Sequence, residues 1–244
     1  MKIALCFFGY FGKQNILHKL NQLNGYSLND YNEMWSIEHF KKNIIQNYDV
    51  DIFFHCWNQD SESQNLLINE YQPKDYLFEK QLKHKFHLWR FYSESKCINL
   101  MNKYARKNNI KYDFVFLSIF DQIFFTKINF NELNTEYIYN SHFNSYNQKD
   151  NFHHINKNGL YDQWYIANMK NITIITNYIE ILKICFKYKF DKYGSHIQRL
   201  KLVNNYNLLK KLKFILYTSF DHIKVNQLFF NQYKHNLNRL KKKI

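Results

Sequence analysis

The chain contains very little proline and glycine. One proline, Pro73, and five glycines occur in 244 residues, and they form no cluster. Linkers between domains are commonly rich in these residues, so the sequence shows no domain boundary. A chain of this length can bury a full core. We therefore expect one domain over residues 1–244, with a basic helical extension at 204–244.

Paired cysteines and long apolar stretches are also missing. The four cysteines lie far apart, and Cys6, Cys56 and Cys97 fall in apolar patterns, where a thiol behaves as a small buried hydrophobe. Zinc sites and disulfides are therefore not expected. No apolar run approaches the ~20 residues that span a bilayer, and the N-terminus has no signal-peptide pattern. We expect a cytoplasmic protein.

Arginine is the scarce basic residue, with four among 34 lysines and arginines in a chain of net charge +14. A basic surface attracts phosphate, but arginine is the residue suited to bidentate phosphate contacts. The abundant lysine, asparagine, isoleucine, phenylalanine and tyrosine share A/U-rich codons, so a base-composition bias explains the charge. We therefore do not expect nucleic-acid binding. On a helix, the lysines and apolar residues of 204–244 could contact an anionic membrane, although a solvated helix packed on the domain is our preferred interpretation.

Three apolar runs predict buried strands. They are residues 1–8 (MKIALCFF), 49–57 (DVDIFFHCW) and 112–121 (YDFVFLSIFD). Helical spacing begins near residues 30–33, where a capping box occurs, and again over 93–108. The alternation of strand and helix predicts an α/β fold with a mostly parallel open sheet flanked by helices.

Asp121 ends the third run. Open α/β sheets bind ligands at the carboxyl ends of their strands, and a carboxylate there can bind a divalent cation or a ribose hydroxyl. The alternative is that Asp121 caps the turn before Phe124. We favour the ligand-binding role.

Asp162 and Gln163 stand beside Trp164, after a polar loop that contains His153 and His154. An acid, an amide and large aromatic rings are typical of sugar-binding clefts, and loop histidines can donate to a phosphate or hydroxyl. The alternative is that Asp162 is the N-cap of a helix packed by Trp164.

Two features follow the first two strands. Gly9 and Gly12, with Tyr10 between them, permit a tight turn and close approach to a ligand, although this spacing is a weak nucleotide-loop signal. His55 lies near the end of the second run, where it could face the ligand edge. A hydrogen-bonded core histidine is an equal alternative.

Taken in order, these segments resemble a family of small glycosyltransferases with the GT-A type nucleotide-sugar fold, found in surface-polysaccharide clusters and large DNA viruses. The resemblance covers approximately the first 170 residues. It is carried by residues 2–6 with Gly9 and Gly12, and by 50–57, 71–74, 93–96, 112–115, 120–121 and 162–163.

The resemblance implies a nucleotide-sugar donor bound by residues 1–125 and an acceptor side within 126–203. Asp121 would serve a divalent cation, Mn²⁺ or Mg²⁺, and the diphosphate, while Asp162 would be the acceptor-side acid or base. The expected donor contacts are Gly9, Tyr10, Gly12, His55, Lys96 and Asp121. The expected acceptor contacts are Gln163, Trp164, His153 and His154.

One departure stands out, because the family's R-x-R-x-D pattern has Leu117 and Ile119 at the arginine positions. The chain replaces these donors from elsewhere, or it is a weakened or inactive member. We predict a metal-assisted hexosyl- or pentosyltransferase that moves a sugar from a nucleotide-sugar to a glycan or lipid-linked glycan. The alternative is a non-catalytic relative that acts as a basic binding protein for nucleic acid or an anionic surface.

Overall fold

The computed structural model describes residues 1–12, 34–81, 88–142, 159–187, 195–217 and 222–224. The strands within these ranges are β1 (Lys2–Gly9), β2 (Asp49–Cys56), β3 (Asp75–Phe78), β4 (Phe114–Ile119), β5 (Gln122–Phe124), β6 (Ile138–His142), β7 (Trp164–Ala167), β8 (Leu212–Tyr217) and β9 (His222–Lys224). The α-helices are α1 (Met34–Asn43), α2 (Ser61–Tyr71), α3 (Leu88–Asn108), α4 (Met169–Ile175), α5 (Tyr178–Lys187) and α6 (Ser195–Asn205).

Seven strands form one sheet in the order β3-β2-β1-β4-β7-β6-β8, and β5 pairs with β9. The pairs β1 with β2, β1 with β4, β2 with β3, and β6 with β8 are parallel. Strand β7 runs antiparallel to both β4 and β6. The predicted mostly parallel sheet flanked by helices is confirmed.

The central strands are mostly apolar because both faces of the sheet are covered. In β1, Leu5 and Phe7 pack into the layer that holds α1 and α2, whereas Cys6 and Phe8 pack into the layer that holds α3 and α4. The ring of Phe40 from α1 meets Phe7 edge-on at 4.7 Å. Strands buried on both faces have continuous apolar sequences, which is why residues 1–8, 49–57 and 112–121 were recognisable.

Helix α3 begins five residues before the predicted start at residue 93. Its extra turn is stabilised by tertiary packing, because Leu88 and Phe91 are buried with Ile181 and Ile184 of α5. The helix ends where Asn109 adopts a left-handed conformation with φ of 53°, a common C-terminal signal. The additional turn contains Arg90, which belongs to the candidate site described below.

The helical extension predicted for 204–244 is wrong over residues 212–217 and 222–224, which form strands. Residues 212–217 form β8 and residues 222–224 form β9. Strand β8 pairs with β6, so its backbone groups are satisfied by the sheet and not within a helix. Residues 225–244 lie outside the described ranges. Among the described helices, none has the length and apolar character needed to cross a membrane.

Candidate functional site

The centre of the sheet has the topology of a ligand crevice. Strands β1 and β4 are neighbours, but the chain leaves β1 toward α1 on one face and reaches β4 from α3 on the other. At such a switch point the connections diverge, and a crevice opens beyond the carboxyl ends of the strands. The loop after β1 and residue Asp121 after β4 lie on the two sides of this point.

The loop after β1 is held by hydrogen bonds to Asn58 and Asp121. Gly9 and Gly12 have φ angles of 99° and 73°, a region that side chains disfavour. Asn58 exchanges two hydrogen bonds with the backbone of Phe11, at 2.9 and 3.1 Å. The Gly12 N–H donates to Asp121 Oδ1 at 3.2 Å. None of the residues that the structure describes occupies the space beside Gly9 where a side chain would project, so among them the backbone there is accessible to a ligand.

Asp121 lies where the sequence placed it, but it faces inward. Its side chain is 1% exposed. Burial raises the pKa of the Cys56 thiol to about 12, and the charge of Asp121 adds to that shift. Burial likewise raises the pKa of Tyr71, again with a contribution from Asp121. The contact that the structure establishes for Asp121 is therefore to the glycine loop, and its contact to a donor stays a prediction.

The described residues do not by themselves build a metal centre. Within the ranges that the structure covers, no group of three or more histidine, cysteine or acidic side chains could hold a metal ion. Asp121 is a single buried carboxylate, and one of its oxygens accepts from Gly12. We therefore derive no step through a metal ion.

His55 is a hydrogen-bonded core residue, so the direct donor contact predicted for it is wrong. Gly9 N–H donates to Ser93 Oγ at 3.0 Å, and Ser93 Oγ lies 2.7 Å from His55 Nδ1. His55 Nε2 lies 2.9 Å from Glu79 Oε2. Burial lowers the pKa of His55 below its ordinary value. These partners assign a neutral ring that accepts from Ser93 and donates to Glu79, and both nitrogens are used.

Lys96 is an accessible cation beside this chain of hydrogen bonds. Its Nζ lies 3.7 Å from Glu79 Oε1, and its side chain is 39% exposed. Its contact with Tyr92 is the main cause of a raised Lys96 pKa. Tyr10, the other predicted donor contact here, donates its hydroxyl to Gln81 Oε1 at 2.8 Å.

Asp162 lies at the same edge, because it precedes β7 and β7 runs antiparallel to β4. The Ile119 N–H donates to the Gln163 carbonyl at 3.0 Å, and the Gln163 side-chain amide donates to Asp162 Oδ1 at 2.8 Å. The helix-cap alternative for Asp162 is wrong, since a strand follows it. The structure thus brings Asp121 and Asp162 to one edge of the sheet.

Arg90 is the partner of Asp162 that the sequence did not reveal. It donates to the Asp162 carbonyl, and its Nη1 lies 3.4 Å from Asp162 Oδ1. The guanidinium lies 5.6 Å from the ring centre of Phe8, the residue before the glycine loop. The sequence contained no signal for this role beyond the scarcity of arginine, which occurs four times in the chain. Leu117 and Ile119, where the family has arginines, are buried.

The acceptor contact predicted for Trp164 is wrong. Its side chain is fully buried, with ring centres 5.9 Å from both Phe116 and Phe124. A continuous apolar face of β7 packs Trp164 into the core, so the ring cannot stack on a sugar. Gln163 stays half-buried next to Asp162. His153 and His154 lie outside the described residues.

A second arginine–carboxylate pair lies inside the protein next to α3. Arg199 donates to the Glu94 carboxylate and to the Ile175 carbonyl, and both charged side chains are 0% exposed. The Arg199 guanidinium lies over Phe91 at 4.6 Å and over Tyr165 at 5.2 Å. Burial raises the pKa of Glu94, although Arg199 opposes that shift.

No protein-family model and no curated protein matches the chain. Its fold is similar to solved structures of low identity. A protein described as a nucleotide-diphospho-sugar transferase from Desulfovibrio desulfuricans aligns over 99% of this chain and 97% of its own, at 10% identity and a TM-score of 0.50. One from Bacillus anthracis, described as a glucose-1-phosphate thymidylyltransferase, aligns over 100% and 96%, at 13% identity and a TM-score of 0.51.

A third structure, the glycosyltransferase GlyE of Streptococcus pneumoniae, aligns over all of this chain at 12% identity and a TM-score of 0.48. The chain spans about half the length of that protein, since 50% of it is covered. The fold conclusion depends on the Desulfovibrio desulfuricans and Bacillus anthracis structures, and at their identities they establish only the nucleotide-sugar transferase type of fold.

Proposed function

We propose that the protein is a glycosyltransferase that uses a nucleotide-sugar donor. The observation that carries the proposal is the arrangement at the β1/β4 switch point. There the glycine loop closes on Asp121, and the Arg90–Asp162 pair lies at the same edge. A nucleotide-sugar needs a shaped crevice, a cation for its diphosphate and a base for the acceptor hydroxyl.

The glycine loop shapes the crevice more than it binds phosphate. The N–H groups of Gly9, Phe11 and Gly12 already donate to Ser93, Asn58 and Asp121. The space beside Gly9, which none of the described residues occupies, lets a diphosphate approach the backbone closely. Donor affinity must then come largely from side chains at the rim of the crevice.

Arg90 is the side chain best suited to the diphosphate. Its side chain is 22% exposed, and its partners are one carbonyl and the Asp162 carboxylate. A guanidinium offers paired donors to phosphate oxygens and opposes the charge that develops on a departing diphosphate. Lys96 is the second accessible cation. The family has arginines in this strand, where the chain has the apolar residues Leu117 and Ile119. Arg90 in α3 would supply the positive charge in their place.

Asp162 is the proposed base. When Arg90 turns toward a diphosphate, Asp162 Oδ1 keeps its hydrogen bond from Gln163 and is released from the guanidinium. The freed carboxylate can then accept the proton of an acceptor hydroxyl, a contribution of about 10²–10⁴-fold in rate. Donor binding and activation of the base are coupled through Arg90.

Three finer points are retained as hypotheses. A divalent cation can be held by one carboxylate together with substrate phosphates, so Asp121 and the donor together could complete a metal site that the described residues lack. The acceptor is a glycan or lipid-linked glycan. Peripheral membrane contact through residues 204–244 is the third point, and most of that segment lies outside the described residues.

A donor panel tests the proposal. Purified protein is incubated with UDP-, GDP- and CMP-sugars, with Mn²⁺ or Mg²⁺ or with a chelator, and nucleotide release is measured. At least one donor should be consumed. Asp121→Asn should weaken binding of that donor, whereas Asp113→Asn should not. Asp113 is the matched control because it stands at the opposite end of β4 and accepts from the Lys2 N–H at 2.7 Å.

Two results would overturn the proposal. The first is silence across the panel together with tight, salt-sensitive binding of nucleic acid, which would favour the basic binding protein. The second is transfer of a nucleotide to a sugar 1-phosphate, the activity in the name of the Bacillus anthracis protein.

A further inference from the structure

A groove of about 350 Å³ lies on the outer side of α3, away from the sheet. One wall is the first half of α3, and the other is the turn between α4 and α5. None of the residues named above as catalytic lines it. Lys96, at one end of the groove, also contacts Glu79, so the groove borders the donor edge without being part of the β1/β4 crevice.

The lining of the groove combines aromatic rings with small polar side chains. The rings of Tyr92 and Tyr178 meet edge-on with centres 5.7 Å apart. Ser95 and Asn99 face the groove from α3, and Asn177 faces it from the opposite wall. Hydroxyls and amides that donate and accept, next to flat rings, match the alternating hydroxyl edges and apolar faces of a pyranose.

Two of these polar side chains are available to a ligand. Ser95 and Asn99 make no side-chain hydrogen bond to any part of the chain that the structure describes, and both have solvent contact. Asn177 uses Oδ1 to accept from the Glu180 N–H at 3.3 Å, which leaves its amide N–H groups as donors. Free donors and acceptors at a preformed groove favour a polar ligand.

The charge of the lining favours a neutral ligand. Lys96 is the one charged residue among the described lining residues, and its charge is already offset by Glu79 at 3.7 Å. A phosphate or carboxylate would find a single cation there, and that cation already has an acidic partner. The mouth of the groove includes Ile179, a large apolar side chain that is 58% exposed, which a sugar ring could cover.

The groove is connected to the donor edge through Tyr92. Its ring stacks on Trp57 with centres 5.7 Å apart, and the Trp57 N–H donates to the Gly9 carbonyl at 3.1 Å. The residue after Tyr92 is Ser93, which accepts from the Gly9 N–H. A ligand in the groove is therefore separated from the glycine loop by the Tyr92 and Trp57 side chains.

We propose that this groove binds a neutral saccharide through the Tyr92 and Tyr178 rings and the Ser95 and Asn99 side chains. That the saccharide is a distal part of the acceptor rests on the proposed function. Binding itself does not rest on it. The size of the groove fits one or two sugar rings, so a longer acceptor would extend beyond it.

The test is saturation-transfer NMR with the full chain and the β-methyl glycosides of glucose, galactose, mannose, N-acetylglucosamine and xylose. At least one should bind wild type, and Tyr178→Ala should weaken its binding at least tenfold. Tyr206→Ala is the matched control, because Tyr206 is 39% exposed and lies outside the groove. Melting temperatures are measured in parallel. Ser95→Ala with Asn99→Ala is a second variant that removes hydrogen bonds at solvent-accessible positions, in case loss of Tyr178 destabilises the fold.

The outcomes separate this inference from the proposed function. No saccharide binding by the wild-type protein, or binding that is unchanged in both variants, overturns the proposal that the groove binds a saccharide. Saccharide binding with a silent donor panel supports the groove and contradicts the transferase. With an active donor, Tyr178→Ala should raise the acceptor KM at least tenfold while donor hydrolysis without acceptor is unchanged. An unchanged acceptor KM overturns the acceptor assignment.

Discussion

Arg90 and Glu94 lie one turn apart in helix α3, and each forms an arginine–carboxylate pair with a residue from another part of the chain. The two pairs differ in their exposure to solvent. Glu94 pairs with Arg199 where both side chains are 0% exposed. Arg90 pairs with Asp162 where the side chains are 22% and 17% exposed. The same chemistry therefore serves two purposes. The fully buried Glu94–Arg199 pair, called here the sealed pair, cannot exchange partners, so it stabilises one arrangement of the fold. The partly exposed Arg90–Asp162 pair, called here the open pair, can release its arginine to a ligand.

The difference in exposure predicts a difference in energy. Burying two charges carries a large desolvation cost, and removing one partner leaves the other uncompensated. An exposed pair contributes little to stability, because water and salt screen it. Stability should respond to the sealed pair and activity to the open pair, and the predictions below test that division in order of expected effect.

Arg199→Met should have the largest effect, a loss of about 3–5 kcal/mol of unfolding free energy, because Glu94 is left buried without its partner. Urea denaturation measures it. Arg106→Met is the control, because Arg106 is an exposed arginine in α3. This substitution should change the free energy of unfolding by less than about 0.5 kcal/mol.

Adding Glu94→Met to Arg199→Met should restore part of that loss, since an apolar pair of similar volume has no uncompensated charge. If Arg199→Met is as stable as wild type, the Glu94–Arg199 pair does not stabilise the fold, and the predicted difference in stability between the two pairs is wrong.

Asp162→Asn should come next, with kcat reduced about 100-fold or more and donor affinity nearly unchanged, as expected for loss of a base that acts in the transition state. Steady-state kinetics with the donor found in the panel measure it. Early melting with activity per folded molecule preserved would make Asp162 structural instead.

Arg90→Ala should reduce kcat/KM for the donor about 10- to 100-fold, the range for a lost hydrogen bond to a charged group. Its melting temperature should stay close to that of wild type, because the pair is partly exposed. Arg90→Lys should restore little activity, since lysine lacks the planar fork. A large loss of stability without a kinetic defect would place Arg90 in the same class as Arg199.

The smallest effect concerns pH and the neutral His55 ring that donates to the Glu79 carboxylate. The pKa of His55 is lowered in the folded protein by burial, so the unfolded chain binds the proton first as the pH falls. The contribution to stability is full above the unfolded pKa of about 6.5 and declines as the pH drops toward the folded pKa.

Urea denaturation between pH 5 and pH 8 checks this, and His55→Asn should flatten the profile in that window. A profile that keeps its slope in His55→Asn would assign the pH dependence to another group.

Much of the fold was predictable because both faces of the central strands are covered. Residues 1–8, 49–57 and 112–121 are predominantly apolar, and strands of that kind are recognisable locally. Strand β8 was not, because LKFILY within a lysine-rich segment suits a helix as well as an edge strand. Its pairing with β6, more than 70 residues away, decides between them.

The sequence by itself determined the strands of the central sheet and the placement of Gly9, Gly12 and Asp121 at their ends, since these follow from local apolar runs and chain breaks. Tertiary structure alone decided which side chains face the site. It buried Trp164 and gave both nitrogens of His55 partners. It also brought Arg90 to Asp162 across 72 positions of sequence. The physical reason is that a side chain's partners depend on packing between distant segments, which no local pattern specifies.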